Sequence, residues 1–227
     1  MYKRVLIKLS GEALGDETQN YNITNIRNIC ETIKRVREKG IEVGIVVGGG
    51  NWMRGRDCNN LDRVSADYVG MLGTVMNAII VRDVFTNINV NSIVQTNLEI
   101  PTLFPKKHNL IKHLKDNIII FGGGTGKPFF STDTASALMA KKIKADAIIK
   151  LTNVDGIYDD DPKKNKNAKL LKTITYQEAL DKNLKVMDKE AFEICMKENI
   201  NIIVLNIHKP NDLFKSLEGE DVGSRVL

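Results

Sequence analysis

Short, almost wholly apolar runs alternate along this chain with longer segments whose apolar residues recur every three to four positions. The first run is a strand over 4–9, and Ile26, Ile29, Ile33 and Val36 then share one face of a helix over 24–39 that Gly40 stops. A second strand is predicted at 41–47 and ends in Gly48-Gly49-Gly50. A long helix over 64–86, a strand at 90–94 and a loop holding Pro101 and Pro105 come next. Asn117-Ile118-Ile119-Ile120-Phe121 predicts a buried strand opening into Gly122-Gly123-Gly124-Thr125-Gly126, with a helix over 133–144 behind it. Further strands fall at 147–151 and 157–158, the latter between the turn signals Asp155-Gly156 and Asp159-Asp160-Asp161-Pro162. Helices over 177–182 and 189–199, the second capped by Asp188, precede a strand at 201–206.

This alternation predicts an α/β fold with a central, mainly parallel sheet flanked by helices. No solenoid repeat, low-complexity tract or linker interrupts it, so residues 1–227 read as one domain with two lobes meeting at a cleft. A hydrophobic content of 42% with 27% charged residues is that of a soluble globular chain. No uninterrupted stretch reaches the roughly 18 apolar residues of a membrane span, so no membrane partner is expected. The N-terminal run lacks a cleavage pattern, which gives a cytoplasmic expectation. Cys30, Cys58 and Cys195 are far apart and without CxxC spacing, so they read as packing residues and no protein-bound metal site is expected. The charge of +5 comes from lysines spread along the chain, without a basic stripe or RNA-binding signature. That pattern calls for no nucleic acid and is compatible with a small phosphorylated ligand.

Glycines directly after a buried strand let the backbone bring several N–H donors against a phosphate, helped by the positive end of a following helix. Three such places occur: Ser10-Gly11, Gly48-Gly49-Gly50 and Gly122-Gly123-Gly124-Thr125-Gly126. None is a Walker A loop, since Gly126-Lys127 is followed by Pro128, and the dinucleotide fingerprint fails at Met53 and at Lys127. What remains is a phosphate site assembled from several strand ends of one sheet. Lys8 would point into that cleft, and Arg54 could reach back to a phosphate with a bidentate fork.

In joint order and spacing these segments resemble the amino-acid kinase superfamily, and within it bacterial UMP kinases, over nearly the whole chain. The resemblance rests on Lys8-Leu9-Ser10-Gly11-Glu12, Gly48-Gly49-Gly50-Asn51 with Arg54-Gly55, and Asp67 with Gly70-Met71-Leu72. Its most discriminating stretch is Gly124-Thr125-Gly126-Lys127-Pro128-Phe129-Phe130-Ser131-Thr132-Asp133. Thr152-Asn153-Val154-Asp155-Gly156-Ile157-Tyr158, Asp161-Pro162, Leu184-Lys185-Val186-Met187-Asp188, and Asn206 with Lys209-Pro210 complete it. The resemblance implies a three-layer αβα sandwich of the amino-acid kinase fold that transfers the γ-phosphoryl of ATP to UMP, giving UDP in pyrimidine biosynthesis. It also implies Mg²⁺ held through the ATP phosphates, GTP or UTP as effectors, and a homohexamer.

Carried over residue by residue, it implies that Lys8, Leu9, Ser10, Gly11, Gly50 and Arg54 line the ATP phosphates. Thr152, Asn153, Tyr158 and Asp161 would hold adenine and ribose. Gly49, Asp67 and the run Thr125, Gly126, Lys127, Pro128, Phe129, Phe130, Ser131 and Thr132 would hold UMP. Lys8, Asp133 and Asp188 would be catalytic. Two places depart from the pattern: Lys127 stands where an uncharged residue is commoner, and Phe104-Pro105-Lys106-Lys107-His108 is less charged than the arginine-rich segment tied to regulation. The residues also admit plainer roles. Asp133 and Asp188 both stand where helices begin and could be N-caps, Tyr158 a strand aromatic, and Asp161 ordinary turn chemistry. A kinase acting on a carboxylate or carbamate, and a nucleotide sensor without catalysis, are the rival readings.

Overall fold

The computed structural model describes residues 2–16, 18–53, 61–104, 109–162, 164–184 and 186–227. Met1, Arg54, Gly55, Cys58, Lys185 and the segment 105–108, with Pro105, Lys106, Lys107 and His108, lie outside them. Among the described residues the first half runs β1 (Arg4–Leu9), a 3-10 turn (Gly11–Leu14), α1 (Ile23–Glu38), β2 (Glu42–Val47), α2 (Arg63–Asn87), β3 (Ser92–Thr96), α3 (Leu110–Leu114), β4 (Ile118–Gly122) and α4 (Thr132–Ile143). The second half runs β5 (Ala147–Thr152), β6 (Ile157–Tyr158), β7 (Leu170–Leu171), β8 (Thr173–Ile174), α5 (Tyr176–Asp181), α6 (Lys189–Lys197), β9 (Asn201–Asn206), α7 (Pro210–Glu218) and β10 (Ser224–Val226).

Eight strands form one sheet in the order β3-β4-β2-β1-β5-β9-β10-β8, and β6 pairs with β7 in a separate hairpin. From β3 to β9 all neighbours are parallel, while β10 runs antiparallel to β9. Strands buried on both faces have no polar side to show, which is why β4, and β2 beyond Glu42, read as apolar runs. One core packs α1, α2 and α7 on one face through Ile33, Ala78 and Leu213. The other packs α3 to α6 on the opposite face through Leu114, Ala140, Ala179 and Ala191. The three-layer αβα sandwich is therefore present.

Several elements differ from the sequence reading. β3 starts at Ser92 rather than 90 because Asn89 is left-handed (φ 57) and the Val90 N–H bonds Phe85 O at 2.9 Å, spending Val90 on the end of α2. The five-residue α3, the two-residue β7 and β8 and the three-residue β10 were not foreseen, since elements this short carry too few residues to show a period; the nine-residue α7 was also not foreseen, although its buried Leu213 and Leu217 recur at i, i+4. α2 also corrects the membrane argument, since by length and composition it could cross a bilayer. Here it lies on the sheet, with Val75, Ala78, Val81 and Phe85 buried against it.

At the end of the sheet where the parallel strands start, Arg4 and Glu42 are in register on β1 and β2 and both are buried. Arg4 Nε donates to Glu42 Oε2 at 2.6 Å, and its Nη1 donates to Ile143 O at 2.7 Å, covering the last carbonyls of α4. Removing one member of a buried pair strands the other charge. We expect Glu42→Ala to lower unfolding free energy by about 3–5 kcal/mol in urea titrations. Turnover of the folded fraction should be unchanged, because the pair lies at the edge opposite the glycine loops.

Candidate active site

Lys8 on β1 and Lys150 on β5 are direct register partners in neighbouring parallel strands, so both side chains leave the same face side by side. Two ammonium groups placed this way repel, and each strand offers them only apolar neighbours. The compensating charge comes from α4. Asp133 Oδ1 lies 2.9 Å from Lys8 Nζ, and Lys150 Nζ donates to Asp133 Oδ2 at 3.1 Å and to Val186 O at 2.6 Å. Burial raises the Asp133 pKa, but the attraction of Lys8 and Lys150 outweighs it and holds the carboxyl below its ordinary 3.8. Burial, joined by repulsion from Lys8, depresses Lys150 despite its Asp133 partner.

Asp133 is not the cap of its helix. That position belongs to Ser131, whose Oγ accepts the Thr134 N–H at 3.0 Å, which frees Asp133 in the first turn to face the lysines. Asp188 does cap α6, accepting the Ala191 N–H at 2.9 Å. It also accepts the Ser131 hydroxyl and, at 3.1 Å, that of Thr134. The starts of α4 and α6 thus converge, and two carboxylates sit where helix dipoles favour negative charge. Lys8, Asp133 and Asp188 are brought together as expected. Lys150 was missed, although its signal was legible: Ile149-Lys150-Leu151 repeats the Ile7-Lys8-Leu9 pattern, one lysine in an apolar strand.

The glycine-rich ends of β1 and β2 lie just beyond Lys8 and its register partner Val46. A side chain at Gly11 would collide with Gly50 N at 2.5 Å and with Asn51, so the loops after β1 and β2 meet backbone to backbone. Gly48 N–H donates to Leu9 O at 2.8 Å. The Leu9 side chain is fully buried in the core, so Leu9 can offer a ligand only its backbone.

In the 125–132 segment, Thr125 Oγ1 accepts the Lys127 N–H at 3.2 Å, and Phe129 holds a left-handed φ of 71. Asp67, from the second turn of α2, fixes that conformation by accepting the Phe129 N–H at 2.7 Å and pairs with Arg63 at 3.0 Å. It therefore does contact the loop predicted to hold substrate. Phe129 and Phe130 are exposed.

Thr152, Tyr158 and Asp161 line a cleft of about 430 Å³ with Lys150, Leu184 and Val186. The Thr152 hydroxyl is used locally, donating to Val154 O at 2.9 Å. Asn153 is the exception among the predicted adenine contacts, because it lines a different cleft of about 880 Å³, with Leu151 and Leu205 from the other face of the sheet. Asp155 ties the β6–β7 hairpin down, accepting from Asn206 and Lys209 at 2.8 Å each, and these bonds hold its pKa low. Cys30 and Cys195 are buried and free, with thiols pushed up by burial, in keeping with a packing role.

Residues 3–206 match the amino acid kinase family. The chain is 46% identical to a chloroplastic uridylate kinase of Arabidopsis thaliana over 99% of its own length and 68% of that protein. It is 45% identical to a uridylate kinase of Thermosipho melanesiensis, covering 100% and 99% of the two chains. The structure superposes on a UMP kinase from Bacillus anthracis with a TM-score of 0.95 at 38% identity, covering 99% of this chain and 96% of that one.

Because the Asp133 pKa is lowered, its share of stability is complete above 3.8 and is lost as pH falls below that value. We expect Asp133→Asn to cost about 3–5 kcal/mol at neutral pH, by stranding two lysines, and to flatten the acid limb of stability between about pH 5 and pH 2. Urea titrations across that range check both.

Proposed function

The chain belongs to the amino acid kinase family and transfers a phosphoryl group from ATP to UMP, and from that premise we propose how its own residues divide the work. The observation that supports the division best is the in-register pair Lys8 and Lys150, bridged by Asp133 between glycine-rich strand ends. Phosphoryl transfer through a loose transition state demands alignment and charge neutralisation more than covalent chemistry. The UMP phosphate is already ionised near neutral pH, so no general base is required.

In this reading Lys8 neutralises charge on the transferring phosphoryl group, since an ammonium has three donors and Asp133 does not use them all. Lys150, committed to Asp133 and Val186 O, orients Asp133 and through it Lys8. Asp188 holds the starts of α4 and α6 together. Backbone N–H groups of Ser10, Gly11, Gly49 and Gly50, with Arg54 outside the described residues, receive the phosphates. Adenine enters the cleft of Tyr158 and Asp161. Asn153 is left out of that pocket because it lines the other cleft. UMP lies along 125–132, with Asp67 accepting from its ribose hydroxyls through lone pairs that Phe129 and Arg63 leave over.

Among the described residues no three His, Cys, Asp or Glu side chains gather to hold a metal ion, and Asp133 faces lysines. That arrangement fits Mg²⁺ carried on the ATP phosphates, where it would supply further charge neutralisation. On the same reading the enzyme is cytoplasmic, with GTP or UTP as effectors. The resemblance implies a homohexamer, and a contact between copies is supported by α2, where Val69, Leu72 and Met76 form an apolar strip at i, i+3, i+7 with 39%, 49% and 42% of their surface exposed.

A coupled assay presenting UMP, CMP, acetylglutamate and carbamate with Mg-ATP tests the substrate. We expect turnover with UMP and little with the others; equal kcat/KM for UMP and CMP would overturn the assignment. Lys8→Ala should lower kcat about 100-fold or more while ATP affinity changes only several-fold. For the assembly, Leu72→Asp should reduce the mass measured by light scattering, and a mass that stays at the wild-type value would remove α2 from the interface.

A further inference from the structure

A polar side chain on a buried apolar helix face has to be matched, because an unpaired amide or hydroxyl there is strongly destabilising. Thr74 and Asn77 are such residues on α2, 5% and 1% exposed among Met71, Val75, Ala78 and Val81. Asn77 finds all its partners in the loop that follows β2. Its Nδ2 donates to Gly48 O at 2.7 Å and to Asn51 Oδ1 at 2.8 Å. Its Oδ1 accepts from Asn51 Nδ2 at 3.0 Å and from the Trp52 indole N–H at 2.8 Å. Two donors and two acceptor positions are thus all filled by residues 48–52.

Thr74, one turn earlier, serves the other loop. Its Oγ1 accepts the Gly123 N–H at 2.7 Å while donating to Met71 O at 2.7 Å. Backbone contact reinforces the arrangement, since a side chain at Gly49 would come within 2.5 Å of Gly70 O and 3.2 Å of Thr74 Cγ2. The roots of the two loops are set by the sheet, because β2 and β4 pair up to Val46 and Phe121. Beyond that last pair, α2 holds the first residues of both loops.

We propose that Thr74 and Asn77 are positioning residues for phosphoryl transfer: they fix the loop after β2 against the loop after β4, and so the separation of the donor and acceptor phosphates. This rests on the reading of those loops as the phosphate and UMP loops. A misplacement of about 1 Å can cost a reaction of this kind on the order of 100-fold, so a clip spanning both loops acts on kcat rather than on affinity. Trp52, the sole tryptophan, ends its indole N–H on Asn77 and reports on the clip directly.

The test compares Thr74→Val, which keeps shape and loses the hydroxyl, with Thr74→Ser, which keeps the hydroxyl, and adds Asn77→Ala. We expect Thr74→Val and Asn77→Ala to lower kcat about 10- to 100-fold with KM for ATP and UMP within about threefold, and Thr74→Ser to recover most of kcat. Asn77→Ala should also shift Trp52 emission to the red, and Thr74→Val should not. Wild-type kcat in folded Thr74→Val, equal losses in the Val and Ser variants, or a loss confined to KM would each overturn the proposal. If Asn77→Ala does not fold, the Thr74 pair decides alone. Wild-type protein inactive on UMP would instead remove the functional reading itself, an outcome distinct from an active enzyme indifferent to Thr74.

Discussion

Two lysines in register on adjacent parallel strands set the terms for everything round them. Lys8 and Lys150 stand side by side on one face of two strands, each between apolar neighbours, and neither strand contains the anion that makes this tolerable. Their charge can be kept in a buried setting only if a carboxylate is delivered from another layer and held between them. That requirement places the start of α4 over the β1–β5 boundary and gives the cap of α4 to Ser131, so that Asp133 faces the lysines. It also draws in α6, whose own cap Asp188 reaches the Ser131 and Thr134 hydroxyls. A chain of hydrogen bonds and ion pairs thus runs from two central strands to two helix starts. The division of work proposed above would use charges that the fold is already obliged to fix in place.

The glycine loops show a second form of the same economy. Their tightness comes from backbone meeting backbone, as where Gly11 abuts Gly50 and Asn51, and such contacts fix distance without fixing direction. Direction comes from α2, an apolar helix whose few buried polar side chains all turn outward to the loops. The two clefts are separated by the sheet itself. Lys150 and Thr152 face the hairpin cleft on one side, while Leu151 and Asn153 line the larger cleft on the other. Alternation along β5 and the residue that follows it decides which cleft each side chain can serve.

The sequence by itself determined the parallel αβα class, because strands buried on both faces are forced into apolar runs and the helices between them into a 3.6-residue period. It pointed to Ser10-Gly11, Gly48 to Gly50 and Gly122 to Gly126 as the strand ends able to receive a phosphate, since glycine after a buried strand is a local signal. It also marked Lys8, Asp133 and Asp188, and the Asp188 cap was read correctly. Tertiary structure alone decided what these groups do to one another. Register between β1 and β5, which no local pattern encodes, made Lys150 the partner of Lys8. The cap falling on Ser131 rather than Asp133 turned an ordinary helix-start residue into the bridge between two lysines. Whether Asn153 joined Tyr158 and Asp161 depended on which side of the sheet it faced, and it faced the other. Asp67 and Phe129 meet across 62 residues of sequence, and Asn77 meets Gly48 across 29. Contacts of that span depend on how layers pack, and a chain read one residue after another holds no record of them.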